Sequence, residues 1–352
     1  MARYLARACP NCHDYLGVII PAEPQDPGTD IRVDARCLTC GYTLDWKISR
    51  GKKPLTSALT RILPFLVILL FLAAPAFSWA EICPGSQVPK AELQKLDSAL
   101  PIPLQDKLES EVAHLPWGFP GQTRLLYQRE FIISYDPEHR VPVWVAYKLR
   151  AQDVVNRKRR NAFRTDPRLT PEETATCADY DEPIFDRGHI IPNATLNRSA
   201  AAQAYSFFLS NMAPQHDRFN RGIWAHFEGL VRDWALARGT VYVITGTVFD
   251  RNNDGEPDAL NETEWMLPAK RVGIPSHFYK ILFHAGATLE SLAVMLPHIN
   301  ASPPNRNEFL RQHRVSIREI EKRTGLNFLP GLGPLSQDAI ESIVAPDLWP
   351  TQ

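Results

Sequence analysis

The hydropathy pattern is dominated by one run without charge, Ile62 to Ala80, ILPFLVILLFLAAPAFSWA. As a helix these nineteen residues would span about 28 Å, close to the hydrocarbon thickness of a bilayer. Arg50, Lys52, Lys53 and Arg61 flank its N-terminal side, which predicts a single-pass cell-membrane segment with a cytoplasmic N-terminus. The same stretch also fits an internal signal sequence, with Pro75 interrupting the run and Ser78-Trp79-Ala80 ahead of a cleavage point. The long segment before it favours an uncleaved anchor. On either reading residues 81–352 lie across the membrane, periplasmic or extracellular when anchored and secreted when cut after Ala80.

Beyond the run, Pro101, Pro103, Pro116 and Pro120 mark residues 81–120 as linker and irregular entry to a domain, and 121–352 as the main domain. Within that domain Phe131–Tyr135 and Val143–Leu149 read as strands joined at Asp136-Pro137-Glu138. Val241–Gly246, Phe278–Phe283 and Leu289–Leu296 read as three more. Asn220 to Ala237 reads as a helix, because Trp224, Phe227, Val231 and Trp234 recur at helical spacing along one face. Strands and helices do not alternate regularly, which predicts an α+β domain rather than a doubly wound sheet.

Composition and charge refine this picture. The 352 residues carry 39 basic and 39 acidic side chains, which excludes a uniformly basic coat. The balance is uneven along the chain: residues 148–168 hold 8 basic and 2 acidic side chains, and residues 169–186 hold 6 acidic and no basic ones. Six cysteines divide into two kinds. Cys9-x-x-Cys12 and Cys37-x-x-Cys40 are matched pairs suited to a tetrahedral structural Zn²⁺, making residues 1–50 a zinc-ribbon-like domain with an unidentified cytoplasmic partner. Redox pairs or two disulfides are the alternative uses. Cys83 and Cys177 both fall on the exported side, where a disulfide is allowed but spacing does not decide it.

The densest chemistry is Asp186-Arg187-Gly188-His189, followed by Asn220 and by Glu228 eight residues further along the helix. Hydrolysis of a phosphodiester needs a base for water, a cation for the phosphate and positive charge for the transition state. A neutral imidazole such as His189 accepts a proton near neutral pH. Asn220 offers an amide oxygen to Mg²⁺, which keeps most of its waters, and Glu228 can hold such a water. Arg187 beside the base is suited to clamp a phosphate oxygen.

These residues resemble the sugar-non-specific DNA/RNA endonucleases, the ββα-metal nucleases with a DRGH motif. The resemblance runs from Val143 to Leu332. It includes Trp144-Val-Ala-Tyr147, Arg160-Asn161 with Thr165-Asp166-Pro167, and Leu209 to Gln215. It continues through Asn220…Trp224…Glu228…Arg232, Ile244-Thr-Gly246 and Ile320 to Leu326. It implies a central antiparallel sheet flanked by helices and DNA and RNA as substrates. It also implies cleavage by water to a 5′-phosphate and a 3′-hydroxyl. Residue by residue, it implies His189 as general base, Asn220 as direct ligand of Mg²⁺ (or Mn²⁺), and Glu228 as holder of a metal-bound water. Arg187 and Arg160 become phosphate-contacting residues, Asn211 a support for the His189 loop, and Arg232 a further substrate contact.

Arg157, Lys158 and Arg159 precede this motif and read as substrate contacts, although such a run alone is a solvated face. Asp250 to Gly255 has oxygens at alternate positions like a calcium loop, but Asn261 stands where the bidentate Glu belongs, so a polar turn is expected. Two other function classes stay open on sequence: a catalytically weak nucleic-acid-binding protein of the same fold, and a zinc-ribbon membrane adaptor.

Overall fold

The computed structural model describes residues 80–121, 123–269 and 271–351, together with the backbone of four short strands near the N-terminus. The chain divides into two compact units, residues 1–74 and 75–352. In the first, β1 (Arg3–Ala8) pairs antiparallel with β2 (Tyr15–Ile20), and β3 (Ile31–Arg36) with β4 (Thr43–Ile48). Cys9, Cys12, Cys37 and Cys40 fall between the paired strands in sequence and lie outside the described residues, so the Zn²⁺ expectation does too. The apolar run lies outside them as well, except Ala80. Among the described residues no helix is long and apolar enough to cross a membrane.

The second unit opens with α1 (Lys90–Asp97) and α2 (Leu104–His114). Residues 81–120, expected as a linker and irregular entry to the domain, thus hold two helices. Leu93 of α1 is fully buried among Val88, Ala162, Ala204 and Phe207, and Asp97 forms an ion pair with Arg164 inside the protein. Arg164 makes that pair affordable in solvation terms because its remaining donors reach the carbonyls of Ala162 and Ala204, and its plane stacks 3.8 Å from the Phe208 ring. Cys83 and Cys177 form a disulfide across a separation of 94 residues, a closure that typically contributes about 2–4 kcal/mol. Prolines marked the irregular backbone correctly, but they carried no information about these long-range contacts.

Seven strands form one antiparallel sheet in the order β15-β14-β13-β10-β7-β6-β5. They are β5 (Arg124–Tyr127), β6 (Ile132–Asp136), β7 (Val141–Arg150), β10 (Thr240–Val248), β13 (His277–Ala285), β14 (Leu289–Pro297) and β15 (Arg314–Val315). All five strands expected from the pattern are present, with ends shifted by at most two residues. Strand alternation sends Val145, Tyr147, Val243, Phe278 and Leu282 into one core and Trp144, Ala146, Ile244, Tyr279 and Ile281 into another, so both faces are covered. Gly246 in mid-strand has a physical reason: a Cβ there would lie 2.0 Å from the Val143 carbonyl.

The remaining elements sit around this sheet. β8 (Phe185–His189) and β9 (Met212–His216) make a separate antiparallel pair, with the short helix α3 (Ala200–Tyr205) between them in sequence. A π-helical turn, Phe219–Trp224, then leads into α4 (Ala225–Arg238), which ends at Gly239 with φ +79°. Trp224, Phe227, Val231 and Trp234 are all buried, as their spacing predicted. β11 (Glu264–Trp265) pairs with β12 (Gly273–Ile274), while α5 (Arg306–Gln312), α6 (Ile317–Thr324) and α7 (Pro334–Glu341) complete the unit. The Asp250 turn is closed by its own polar groups and by Arg323, which reaches Asp250 Oδ2 at 2.7 Å and Asn253 Oδ1 at 3.2 Å. A side-chain cation of the protein itself therefore sits against this turn.

Between α6 and α7, Glu321 and the buried Glu341 face each other beside Arg318. Burial, with Glu341 adding to it, pushes the Glu321 carboxyl up to about 7. The folded protein thus holds a proton that the unfolded chain has already lost, and this contribution to stability falls as pH rises from the usual carboxylate range to about 7. Glu321→Gln should flatten that part of the stability curve, raising Tm at pH 8 more than at pH 5. Thermal melts of both proteins at the two pH values check it.

Candidate active site

The DRGH residues do not read as a strand from hydropathy, since only Phe185 and Gly188 are not strongly polar. They become β8 through pairing with β9, in the register Asp186↔Gln215 and His189↔Met212. Gly188 is required by that pairing, because a Cβ would lie 2.3 Å from Gln215 Oε1. Asn211 then fixes the chain beyond His189. Its Oδ1 accepts from the Ile191 N–H, its Nδ2 donates to the Ile191 and Ser206 carbonyls, and its own carbonyl accepts from the Ile190 N–H. Asn211 thus sits against the chain just beyond His189 through three hydrogen bonds, with a fourth to Ser206.

His189 is 8% exposed, and its ring lies edge-on to Phe207 at 4.9 Å and tilted to Phe163 at 5.6 Å. Its Nε2 is buried with no hydrogen-bond partner among the described residues. Burial, reinforced by Arg159, pushes the imidazole down to about 3, so it is neutral across the physiological range. The same two phenyl rings carry two guanidinium groups. Arg187 stacks on Phe163 at 5.3 Å and Arg159 on Phe207 at 5.2 Å. Two cations and a neutral imidazole therefore share one aromatic frame.

The helix supplies the second half of the site. Trp224 donates from Nε1 to the His189 carbonyl at 3.1 Å, which ties the π-helical turn to β8. Asn220 on that turn donates from Nδ2 to Asp186 Oδ2 at 2.9 Å, and among the described residues no donor reaches its Oδ1. Glu228 keeps some surface open to solvent, yet enough protein surrounds it that burial pushes its carboxyl up to about 7 against the pull of Lys280, Arg232 and Arg159. Lys280 is fully buried beneath α4, donating to Thr245 Oγ1 at 3.1 Å with its ammonium 3.8 Å from the Trp224 ring. Burial pulls that lysine down to about 7, with Glu228 opposing. Arg232 Nη1 and the Tyr147 hydroxyl add two more buried polar atoms without partners among the described residues.

The basic strip divides in a way the sequence did not indicate. Arg160 is turned to Glu92 of α1, with both terminal nitrogens at 3.1 and 3.2 Å from its carboxylate. Arg157 donates to the Asn197 carbonyl at 2.8 Å. Lys158 is exposed, and its carbonyl accepts from the buried Gln203, which also bonds Asn197 Oδ1 and the Arg160 N–H. Arg159 is the member whose charge acts on His189, Glu228 and Asp186. Gln203 and Lys280 were absent from the expected site and carry no local signal, and Asp186, although part of the DRGH sequence, was given no role of its own: each matters through a contact made across the fold.

The sequence matches the family model for DNA/RNA non-specific endonucleases over residues 110–334. The chain belongs to this family. Human mitochondrial endonuclease G is 31% identical over 221 residues, covering 61% of this chain and 73% of that protein. The mitochondrial nuclease EXOG of Xenopus laevis is 30% identical over 273 residues, covering 73% and 76%. Nuclease C1 of Cunninghamella echinulata var. echinulata is 33% identical over 231 residues, covering 62% and 88%. The crystal structure of the EndoG/EndoGI complex superposes with a TM-score of 0.57 at 27% identity, covering 63% of this chain and 92% of that one.

As a DNA/RNA non-specific endonuclease, the chain is a nuclease hydrolase of a metal-dependent group. Among the described residues no three His, Cys, Asp or Glu side chains gather as a metal cage. The donors present are instead an amide oxygen on Asn220 with no donor and the Glu228 carboxylate. That hard, oxygen-only and sparse set fits Mg²⁺ retaining its waters, and does not fit Zn²⁺. The two neighbouring arginines should separate on mutation. Arg159→Ala should lower kcat on plasmid DNA at least about tenfold, as expected for a cation held in place to meet charge that develops on the phosphate. Arg160→Ala should lower it less, and comparing the two variants in one steady-state assay checks the assignment.

Proposed function

We infer that this protein is a Mg²⁺-dependent endonuclease that hydrolyses DNA and RNA, with His189 as the base that takes a proton from water. The observation that carries this reading is the neutral His189, with an unpartnered buried Nε2, set between Arg159 and Arg187 and joined through Trp224 to the turn bearing Asn220. Asn220 Oδ1 would hold the metal and Glu228 a water on it; when bound, Mg²⁺ would neutralise charge on the phosphate and leaving oxygen. In a neutral imidazole one nitrogen carries the proton and the other accepts. A phosphate held by Arg187 and Arg159 offsets the guanidinium charge that depresses His189, which makes the ring a better base once substrate is present. Water oxygen then bonds to phosphorus as the bond to the 3′-oxygen breaks, and the departing oxygen takes a proton from solvent. The products are a 5′-phosphate and a 3′-hydroxyl. The arginines need no reorganisation, because the phenyl rings already hold them in place.

The disulfide supports an oxidising compartment for residues 81–352. With the apolar run and its basic flank, it supports an anchored protein whose zinc-ribbon-like segment is cytoplasmic. In a topology assay, reporters fused before Pro54 and after Glu81 should be active on opposite sides of the membrane. Both active on one side would refute the export reading.

The full-length protein should cut plasmid DNA and RNA with Mg²⁺, lose activity in EDTA and regain it on adding Mg²⁺ back. His189→Ala should fold normally and lose about 10²–10⁴-fold in kcat, the range for a missing general base. Folded wild-type protein that cuts no nucleic acid with any divalent metal would favour the binding-protein reading instead.

A further inference from the structure

Asn220 has a side chain whose two ends are nearly identical in shape and opposite in function. Its oxygen can ligate a cation and its NH₂ group cannot, so the amide must be held one way round. In this structure the holder is Asp186, the first residue of the DRGH sequence. Its Oδ2 lies 2.9 Å from Asn220 Nδ2, and a carboxylate can only accept from the nitrogen end. That leaves Oδ1 as the end without a donor among the described residues.

Asp186 is itself held from outside. Arg221, the next residue on the π-helical turn, places Nε 2.9 Å from Asp186 Oδ2 and a terminal nitrogen 2.6 Å from Oδ1. This is the two-pronged guanidinium–carboxylate geometry that fixes the plane of the acceptor as well as its position. One oxygen, Oδ2, accepts from both Asn220 and Arg221, so the carboxylate cannot turn without breaking contacts to both. The side chain of Asp186 is 20% exposed and that of Arg221 is 71% exposed. An exposed ion pair of this kind contributes little to stability by itself. Its location, one residue from Asn220 and bonded to the group that orients the Asn220 amide, gives it a different role.

We propose that Arg221 is a positioning residue for the cation site: it locks the Asp186 carboxylate, which in turn keeps the Asn220 amide oxygen facing the metal. Without Arg221 the carboxylate is free to rotate and carries an unbalanced charge beside the site. It then either releases the amide to flip or competes for the cation itself. The pairing also explains why an arginine serves here, since a lysine ammonium can reach one oxygen but cannot fix the carboxylate plane. The proposal rests on Asn220 as metal ligand and assigns a second residue the task of orienting it. Groups that orient a metal ligand typically change metal affinity about 10–100-fold when removed.

The test reads metal binding directly. Mn²⁺ bound by the full-length protein in detergent is measured from loss of the free-ion electron paramagnetic resonance signal, with Asn220→Ala defining the site under study. In Arg221→Gln, Mn²⁺ affinity at that site should fall about tenfold or more, with Tm unchanged, and Arg221→Lys should lie between it and wild type. In an Asp186→Ala background, Arg221→Gln should have no further effect on Mn²⁺ affinity. In nuclease assays on plasmid DNA, kcat of Arg221→Gln at saturating Mn²⁺ should stay within a few fold of wild type. Unchanged Mn²⁺ affinity in Arg221→Gln overturns the proposal; if KM rises and the salt dependence becomes shallower as well, Arg221 is a phosphate contact instead. Wild-type protein with no Asn220-dependent Mn²⁺ site also overturns it. Protein that binds Mn²⁺ but cuts nothing would count against the nuclease reading alone, while the Mn²⁺ comparison would still decide the role of Arg221.

Discussion

The site depends on Trp224 more than on any of the groups that would touch substrate. Its indole is wholly buried, it donates to the His189 carbonyl, and its ring covers the Lys280 ammonium in the middle of the sheet. One side chain therefore joins three parts: the strand with His189, the helical segment with Asn220 and Glu228, and the seven-stranded sheet beneath. A buried tryptophan holds such a junction well, because its large apolar area is removed from water while its single donor is satisfied. The π-helical turn just before α4 places Asn220 beside Asp186 while leaving Trp224 pointing inward.

Several polar groups here lack the partners that buried polar atoms normally have. His189 Nε2, Arg187 Nε and Arg232 Nη1 are buried without hydrogen bonds among the described residues. Burial pushes Glu228 up and Lys280 down until both reach about 7. Leaving such groups unpaired costs folding free energy, and the compensation lies elsewhere in the unit. The sheet is covered on both faces, the Asp97–Arg164 pair is fully bonded, and the Cys83–Cys177 disulfide holds the N-terminal segment against the loop before β8. That disulfide also acts close to the site, since the Cys177 carbonyl accepts from Arg187.

Much of the chemistry was legible in the sequence. DRGH, Asn220 and Glu228 stand at spacings that local structure preserves, and the strands of the main sheet announce themselves as apolar β-branched and aromatic runs. The strand character of DRGH was hidden, because its polar residues gain a ladder only by pairing with β9. The packed role of residues 81–120 was hidden too. Its prolines describe the local backbone, whereas Asp97 and Cys83 find their partners 67 and 94 residues further along the chain, and the Leu96 carbonyl accepts from Tyr205, 109 residues on.

By itself the sequence determined the family, the candidate reacting groups and the strands beside them. These follow from residue type and short-range spacing. The tertiary structure decided which neighbours face the site. Arg159 and Arg160 are adjacent in a segment without regular secondary structure, so composition treats them alike while the backbone sends one to Phe207 and the other to Glu92. The orientation of the Asn220 amide was decided the same way, by an aspartate 34 residues earlier in sequence and an arginine beside it. A side chain's chemistry is a property of its own atoms, but its direction and its charge state depend on contacts that only folding brings together.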